Sequence, residues 1–386
     1  MELGRMGNVL RNIQMVDLRS QYHRIKSEID EAVLNAIDST AYINGPEVGE
    51  FAKELASYHR VNHVIPCANG TDALQIALMA LDCEPGDEVI VPAFTYIATV
   101  EVIALLKLKP VFIDVDPETF QMDPDQLESK ISSRTIAIVP VHLYGQCSEM
   151  ERILEIANIH HIAIIEDTAQ AIGSEYTFKN GRKAIAGTMG TIGTTSFFPS
   201  KNLGCFGDGG AMFTNDEFLA KKLTMIANHG QSRKYYHDSI GVNSRLDTLQ
   251  AAILRVKLRY LDSYTAARQH VASVYDEAFN GHDQIQIPQR TPWSTHVFHQ
   301  YTVKLIDTDR DAFQQYMKDL GIPTMIYYPL PVHLQSAYQQ YGYKAGDFPV
   351  AESLCKQVLS LPIHTEMKPE DQEYIIQSTL NFFKHG

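Results

Sequence analysis

Two residues have the types and surroundings for one demanding kind of chemistry. Asp167 closes the run Ile162-Ala163-Ile164-Ile165-Glu166-Asp167, which has strand character, and Thr168-Ala169-Gln170 follows it. Lys201 ends Thr195-Ser196-Phe197-Phe198-Pro199-Ser200-Lys201, a loop further along the chain. An acid at a strand end and a lysine in a loop are the pair that pyridoxal phosphate chemistry needs. The carboxylate keeps the cofactor's pyridine nitrogen protonated, the amine joins its aldehyde as an imine, and the protonated ring withdraws electrons from a substrate α-carbon. A lysine taken at random is a solvated surface charge. Here Phe197-Phe198-Pro199 precedes Lys201 and Gly204-Cys205-Phe206-Gly207 follows it. An amine in so apolar a setting is neutralised more easily, as attack on an aldehyde requires. A buried Asp167 calls for a cationic partner, which the pyridinium would supply; an arginine pair or a helix cap is the plainer alternative.

Other residues fall where such a cofactor would need them. Ala68-Asn69-Gly70-Thr71 is a strand-to-helix turn. Gly70 lets the backbone approach closely, and the N–H groups of the following helix start suit a phosphate, although an ordinary capped turn reads equally well. Ser196, five residues before Lys201, offers a hydroxyl to the same phosphate. Tyr96 offers a ring to stack on a flat heteroaromatic, with core packing as the plainer reading and Phe94 as the competing aromatic. Gln170 reads either as a partner for the cofactor's phenolic oxygen or as a surface amide. Asn243 and Arg245, in Gly241-Val242-Asn243-Ser244-Arg245-Leu246-Asp247, read either as anion recognition or as capping by Ser244. Gly207-Asp208-Gly209-Gly210 is a turn into a strand, not a dinucleotide fingerprint, because no helix follows.

The elements that must position these residues alternate. Apolar residues at helical spacing cover Gln21–Ser39, Pro46–His59, the stretch after Thr71, Tyr96–Leu106, Pro124–Ile131 and Glu149–His160. Between them lie short apolar strands at His63–Cys67, Glu88–Val91, Pro110–Ile113, Thr135–Val141 and Ile162–Ile165. Continuous apolar strands with helical crossovers predict an α/β fold with a mainly parallel sheet covered on both faces. Ligands of such sheets sit beyond the carboxyl ends of the strands, where Asn69, Gly70, Asp167 and Gln170 fall. Phe178–Thr191 reads as a polar loop. Ser244–Phe279 reads as a helical stretch that kinks between a large and a small domain, and the remainder as a small α+β domain.

Composition narrows the task. A formal net charge of −13 without a basic run excludes nucleic acid as the main partner. The five scattered cysteines form no Cys-x-x-Cys pair, so no metal is expected, and they fit a reducing cytoplasm. No run is long enough to span a bilayer, and no membrane partner is expected. Met1–Asn12 reads as a loose extension ahead of the hydrophobic start at Ile13.

Glu-Asp-x-Ala-Gln from Glu166, Ser-Phe-Phe-x-x-Lys from Ser196 and Gly-x-Asn-x-Arg-Leu-Asp from Gly241 occur in one order. Together they resemble the DegT/StrS family of pyridoxal phosphate-dependent sugar aminotransferases, from about Val16 to about Pro362. The resemblance implies the aspartate aminotransferase-like, fold type I architecture. It implies a seven-stranded sheet, an extension over 1–15, a large domain over 16–262 and a small one over 263–386. It implies Lys201 as the imine and proton-transfer residue, Asp167 against the ring nitrogen, and Gln170 and Tyr96 framing the ring. Gly70, Thr71 and Ser196 would hold the phosphate. Asn243 and Arg245 would reach the partner subunit's site, making a homodimer the smallest working unit.

The longer runs from Ser196 and from His229 are similar to the branch acting on UDP-2-acetamido-2-deoxy-3-oxoglucuronate, with L-glutamate as donor, in surface polysaccharide biosynthesis. The branch acting on dTDP-3-oxo-6-deoxyhexoses shares much of this pattern. His229, Arg233 and Arg245 are candidates for the substrate's charged groups. Tyr327 stands where the first branch tends to have histidine. A sugar dehydratase would lack Lys201. A cofactor-binding regulatory protein and a dinucleotide dehydrogenase are further readings; the chain has neither a basic face nor a glycine fingerprint to support them.

Overall fold

A computed structural model describes residues 13–385. The extension expected over Met1–Asn12 lies outside the described residues. Ile13 is buried with residues of the C-terminal helices and sheet.

Seven strands form one sheet in the order His63–Cys67, Gly210–Thr214, Ile192–Ser196, Ala163–Asp167, Thr135–Ile138, Glu88–Pro92, Lys109–Ile113. Only Gly210–Thr214 runs against its neighbours; every other pairing is parallel. This is the expected mainly parallel sheet, and its two faces can be read from residue parity. Val89, Val91, Ala137, Ile165 and Met212 pack with helices Gly70–Ala80, Ala98–Leu105 and Glu217–Ala227. Ile90, Ile138 and Ile164 pack on the other face with helix Met150–His160. Because successive side chains alternate, Asp167 shares the face of Ile165, under Ala98–Leu105. Glu166 points the other way.

The C-terminal part has a three-stranded antiparallel sheet, Ile285–Gln286, Tyr301–Leu305 and Val358–Leu361. Helices Leu261–Phe279, Arg310–Asp319 and Pro369–His385 pack about it in the predicted α+β manner. The stretch expected to kink is two helices, Thr248–Leu258 and Leu261–Phe279, meeting at Arg259-Tyr260. The first is capped at Asp247, not Ser244; the Ser244 hydroxyl instead accepts the Ala68 N–H at 3.0 Å, beside the Asn69 turn. The first predicted helix is broken at Ile25, and the Phe178–Thr191 region includes part of a small hairpin, Glu175–Thr177 with Lys183–Ile185. Among the described residues, no helix is long and apolar enough to cross a membrane.

One close approach fixes the centre of the sheet. A Cβ on Gly193 would lie 2.0 Å from the carbonyl oxygen of Gly187, whose N–H is bound to Glu166 Oε2 at 2.9 Å. Gly193 pairs with Glu166 in register. Gly193→Ala should therefore destabilise the chain by about 1–3 kcal/mol, as overpacking against rigid backbone does. A denaturation midpoint unchanged from wild type would contradict this packing.

Candidate active site

Asp167 ends its strand opposite Thr194, and Ser196 lies two residues further along that neighbouring strand. Both carboxylate oxygens are held. Oδ2 accepts the Thr99 hydroxyl at 2.8 Å, and Oδ1 accepts the Ala169 N–H at 3.1 Å. The side chain is buried without a cationic hydrogen-bond partner among the described residues, which rules out the plainer arginine-pair alternative.

Lys201 lies in the loop that joins the adjacent antiparallel strands Ile192–Ser196 and Gly210–Thr214. Its N–H binds the Phe198 carbonyl at 2.8 Å, and Cys205 N–H binds the Phe197 carbonyl at 2.8 Å. Asn202 Nδ2 donates to the Val297 carbonyl at 2.8 Å, and the buried Lys257 Nζ donates to Gly204 at 2.6 Å. The loop is thus fastened on both sides of Lys201 while the Lys201 amine makes no hydrogen bond or ion pair of its own to a described residue. Burial pushes that amine down to about 8, against the upward pull of the Asp167 carboxylate. Cys205 is buried behind the loop with Phe51 and Phe197 and does not line the cavity.

Asp167 and Lys201 line one cavity of about 470 Å³, a size in the usual range for small-molecule sites. Gly70, Thr71, Tyr96, Gln170, Ser196 and Tyr327 line it too. At one end, helix Gly70–Ala80 is capped by Asn69, whose Oδ1 takes the Asp72 N–H at 2.8 Å. The N–H groups of Gly70 and Thr71 precede that bond at the open end of the helix, where an anion is favoured. A Cβ at position 70 would meet Ser196 Cβ at 2.7 Å, so a larger residue would fill the cradle that Gly70 and Ser196 leave for a phosphate. An unpaired amine of lowered basicity, a held carboxylate and this cradle fit pyridoxal phosphate. Lys201 would take the aldehyde, Asp167 the ring nitrogen, and Gly70, Thr71 and Ser196 the phosphate.

The opposite wall is aromatic and amide-rich. The Tyr144 N–H donates to Gln170 Oε1 at 2.7 Å, which turns the Gln170 amide nitrogen toward the Tyr328 hydroxyl at 3.1 Å. Tyr144 in turn donates its hydroxyl to the Tyr327 carbonyl. Tyr96 is 55% exposed at the cavity wall, whereas Phe94 is 1% exposed and packs on Phe120 and Tyr328. Burial therefore favours Tyr96 over its competitor. Tyr96 precedes helix Ala98–Leu105 rather than starting it, which leaves its ring free of the helix face.

Sequence reasoning missed Thr99, Tyr328, His299, Gln300 and Asp208. His299 is held by Arg268, whose guanidinium donates to the carbonyls of Phe298, His299 and Ile363 at 3.1, 3.3 and 3.1 Å. Burial, Lys201 and Arg268 keep the His299 imidazole well below the usual histidine range. Only the repeated aromatic Tyr327-Tyr328 carried a local signal. Glu166 has a separate task on the far face. It accepts Gly187, Met189 and Gly190 N–H groups at 2.9, 2.6 and 2.6 Å and meets His142 Nε2 at 2.9 Å. Ser148 N–H donates to His142 Nδ1, so Nε2 carries the proton and donates it to Glu166.

Four candidates lie outside this cavity. Asn243 and Arg245 line an adjoining pocket that shares Asn69 and Asp208 with it. His229 and Arg233 belong to an exposed arm that includes the hairpin Gln231–Arg233 with Tyr236–His237, where the Arg233 guanidinium stacks 3.7 Å from the Tyr236 ring. Within one chain they do not approach Lys201's cavity.

The model of the DegT/DnrJ/EryC1/StrS aminotransferase family matches residues 23–380. A Geobacillus stearothermophilus protein named pleiotropic regulatory protein is 46% identical over 97% of this chain and 99% of its own length. The UDP-2-acetamido-2-deoxy-3-oxo-D-glucuronate aminotransferase of Pseudomonas aeruginosa is 46% identical over 91% of this chain and 95% of its own. Among solved structures, a DegT DnrJ EryC1 StrS aminotransferase from Brucella abortus matches with a TM-score of 0.91 at 42% identity, covering 96% of this chain and 99% of that one.

The Lys201 amine supplies a direct check of the geometry. In the cofactor-free chain its acylation, followed by peptide mass spectrometry, should be half-maximal near pH 8, against about 10.4 for an ordinary lysine. Asp167→Asn should lower the midpoint further, because it removes the charge that favours the ammonium form. A midpoint that rises in Asp167→Asn would contradict the shared cavity.

Proposed function

Because this chain belongs to the DegT/DnrJ/EryC1/StrS aminotransferase family and is a pyridoxal phosphate-dependent nucleotide-sugar aminotransferase, we propose that it moves the amino group of L-glutamate to a nucleotide-linked 3-oxo sugar. The sugar nucleotide we favour is UDP-2-acetamido-2-deoxy-3-oxoglucuronate, in cytoplasmic surface polysaccharide biosynthesis. The carrying observation is the cavity that holds both an unpaired Lys201 amine and the anchored Asp167 carboxylate. When bound, the cofactor supplies an electron sink for the substrate carbon. The chain supplies the rest. Lys201 Nζ would hold the aldehyde carbon and, once the substrate amine has displaced it, would take the proton from the reacting substrate carbon and return it. Asp167 keeps the ring nitrogen protonated. Gln170 and Tyr96 orient the ring, and Gly70, Thr71 and Ser196 hold the phosphate.

The large domain would span 16–262 and the small one 263–386. In a homodimer, Asn243 of each copy would complete the partner's cofactor site, and Arg245, Arg233 and His229 would meet substrate charges. The exposed arm supports this arrangement: Tyr235 and Ile240 are left in solvent in the single chain, on the same arm as Arg233 and His229. The cavity wall at Tyr327 would contact the sugar. A dTDP-3-oxo-6-deoxyhexose is the second substrate reading, since Tyr327 offers no positive charge to a uronate. A regulatory role is favoured by the name of the Geobacillus relative and by no feature of the site.

Turnover separates these readings. Glutamate with the UDP-linked 3-oxo uronate should give 2-oxoglutarate and a 3-amino sugar, faster than with dTDP-linked 3-oxo-6-deoxyhexoses. Lys201→Ala should cut the rate by at least roughly 100-fold, the lower range of a lost general base. A reversed preference would move the assignment to the dTDP sugars. No transfer to any 3-oxo sugar nucleotide would leave the regulatory reading.

A further inference from the structure

Thr99 was not singled out by its sequence, yet it makes a side-chain hydrogen bond that reaches Asp167. It stands in the first turn of helix Ala98–Leu105, 1% exposed, with its hydroxyl 2.8 Å from Asp167 Oδ2. Behind it, Thr95 Oγ1 lies 3.4 Å from Thr99 Oγ1, and Thr95 is also buried. The direction of these bonds follows from the donors available. An ionised carboxylate only accepts, so the one Thr99 proton goes to Asp167. The Thr95 contact is then satisfied by Thr95 donating to Thr99. The order is Thr95 to Thr99 to Asp167, and Thr95 and Asp167 both line the cavity. A buried hydroxyl in an apolar helix is costly unless bonded, and valine would fill the same space without that cost.

We propose that Thr99, backed by Thr95, is a positioning residue that holds the Asp167 carboxylate at the angle needed to bind the protonated ring nitrogen. This rests on the reading of Asp167 given under the proposed function. Hydrogen bonds to the charged form of a carboxylate favour that form. Asp167 has two from within the chain, and the other, from the Ala169 N–H, cannot be removed by changing a side chain. Among the titratable groups of the same cavity, Lys201, Tyr328 and His299 make no hydrogen bond to Asp167. Without the Thr99 hydroxyl, the proton shared between ring nitrogen and carboxylate shifts toward the carboxylate. The ring is then a weaker electron sink, and the step at the substrate carbon slows while substrate binding does not.

The test uses the holoenzyme loaded with cofactor labelled with nitrogen-15 in the ring. In wild type the ring nitrogen should resonate as protonated. Thr99→Val should shift it toward the unprotonated position and lower kcat by about 10- to 100-fold, the range seen when outer partners of a functional group are removed. KM should stay within about twofold, as for a group acting on the chemical step. Thr99→Ser should restore both the resonance and kcat. Thr95→Val, which removes the supporting donor at the cavity wall, should shift both in the same direction by less, and it carries the test if Thr99→Val does not fold. A Thr99→Val or Thr95→Val holoenzyme with wild-type resonance and kcat overturns the proposal. Asp167→Asn is the control: a ring nitrogen still protonated there defeats the reading of Asp167, whereas a deprotonated ring there with a silent Thr99→Val defeats the role of Thr99 alone.

Discussion

A buried carboxylate with no hydrogen-bonded cation among the described residues is the constraint around which the site is arranged. Asp167 sits at the carboxyl end of a central parallel strand, out of water, and among the described residues it is hydrogen-bonded by one hydroxyl and one backbone N–H. Such a group is tolerated where a cationic ligand completes it. Across the cavity, the Lys201 amine is held by burial in a state that can lose its proton. The two groups share a space but do not pair, and this makes the cavity receptive to a molecule that needs both.

The fold produces this by parity and by fastening. Strand alternation sends Asp167 to the face of the helix that carries Thr99, and Glu166 to the opposite face, where it fixes the turn at 187–190 and the imidazole of His142. Adjacent carboxylates thereby do different work, one binding backbone and the other left for a ligand. The Lys201 loop is secured through Asn202 and Gly204. Arg268, a buried guanidinium, fixes the segment that brings His299 and Gln300 to the far wall. The backbone on both sides of Lys201 is thus fastened, while its amine makes no hydrogen bond to a described residue.

Much of this was legible in the sequence. Short apolar runs with helical crossovers announced the parallel sheet, and the rule that ligands lie past strand ends put Asn69, Gly70, Asp167 and Gln170 together. The choice between Tyr96 and Phe94 was not legible, because only burial distinguishes them. Thr99, Tyr328, His299 and Gln300 were missed for a common reason: their partners are far away in the chain, and a threonine in an apolar helix or a histidine before a strand has no local mark of function. The break at Arg259-Tyr260 lacks a proline or glycine, and Leu258 and Leu261 on either side of it pack in the same core, so the sequence carried no mark of it. Asn243, Arg245, His229 and Arg233 lie outside the cavity of a single chain, so their suggested roles depend on a second copy.

The central claim is that the amine at 201, and no other, is the cofactor's covalent anchor. Lys257 is the natural rival, since burial brings its amine down to about 8 as well, and it sits against the same loop. Borohydride reduction of the yellow holoenzyme, followed by peptide mass mapping, distinguishes them. The account predicts the phosphopyridoxyl mass on the Lys201 peptide alone. Finding it on Lys257, or on no lysine at full cofactor occupancy, would contradict it.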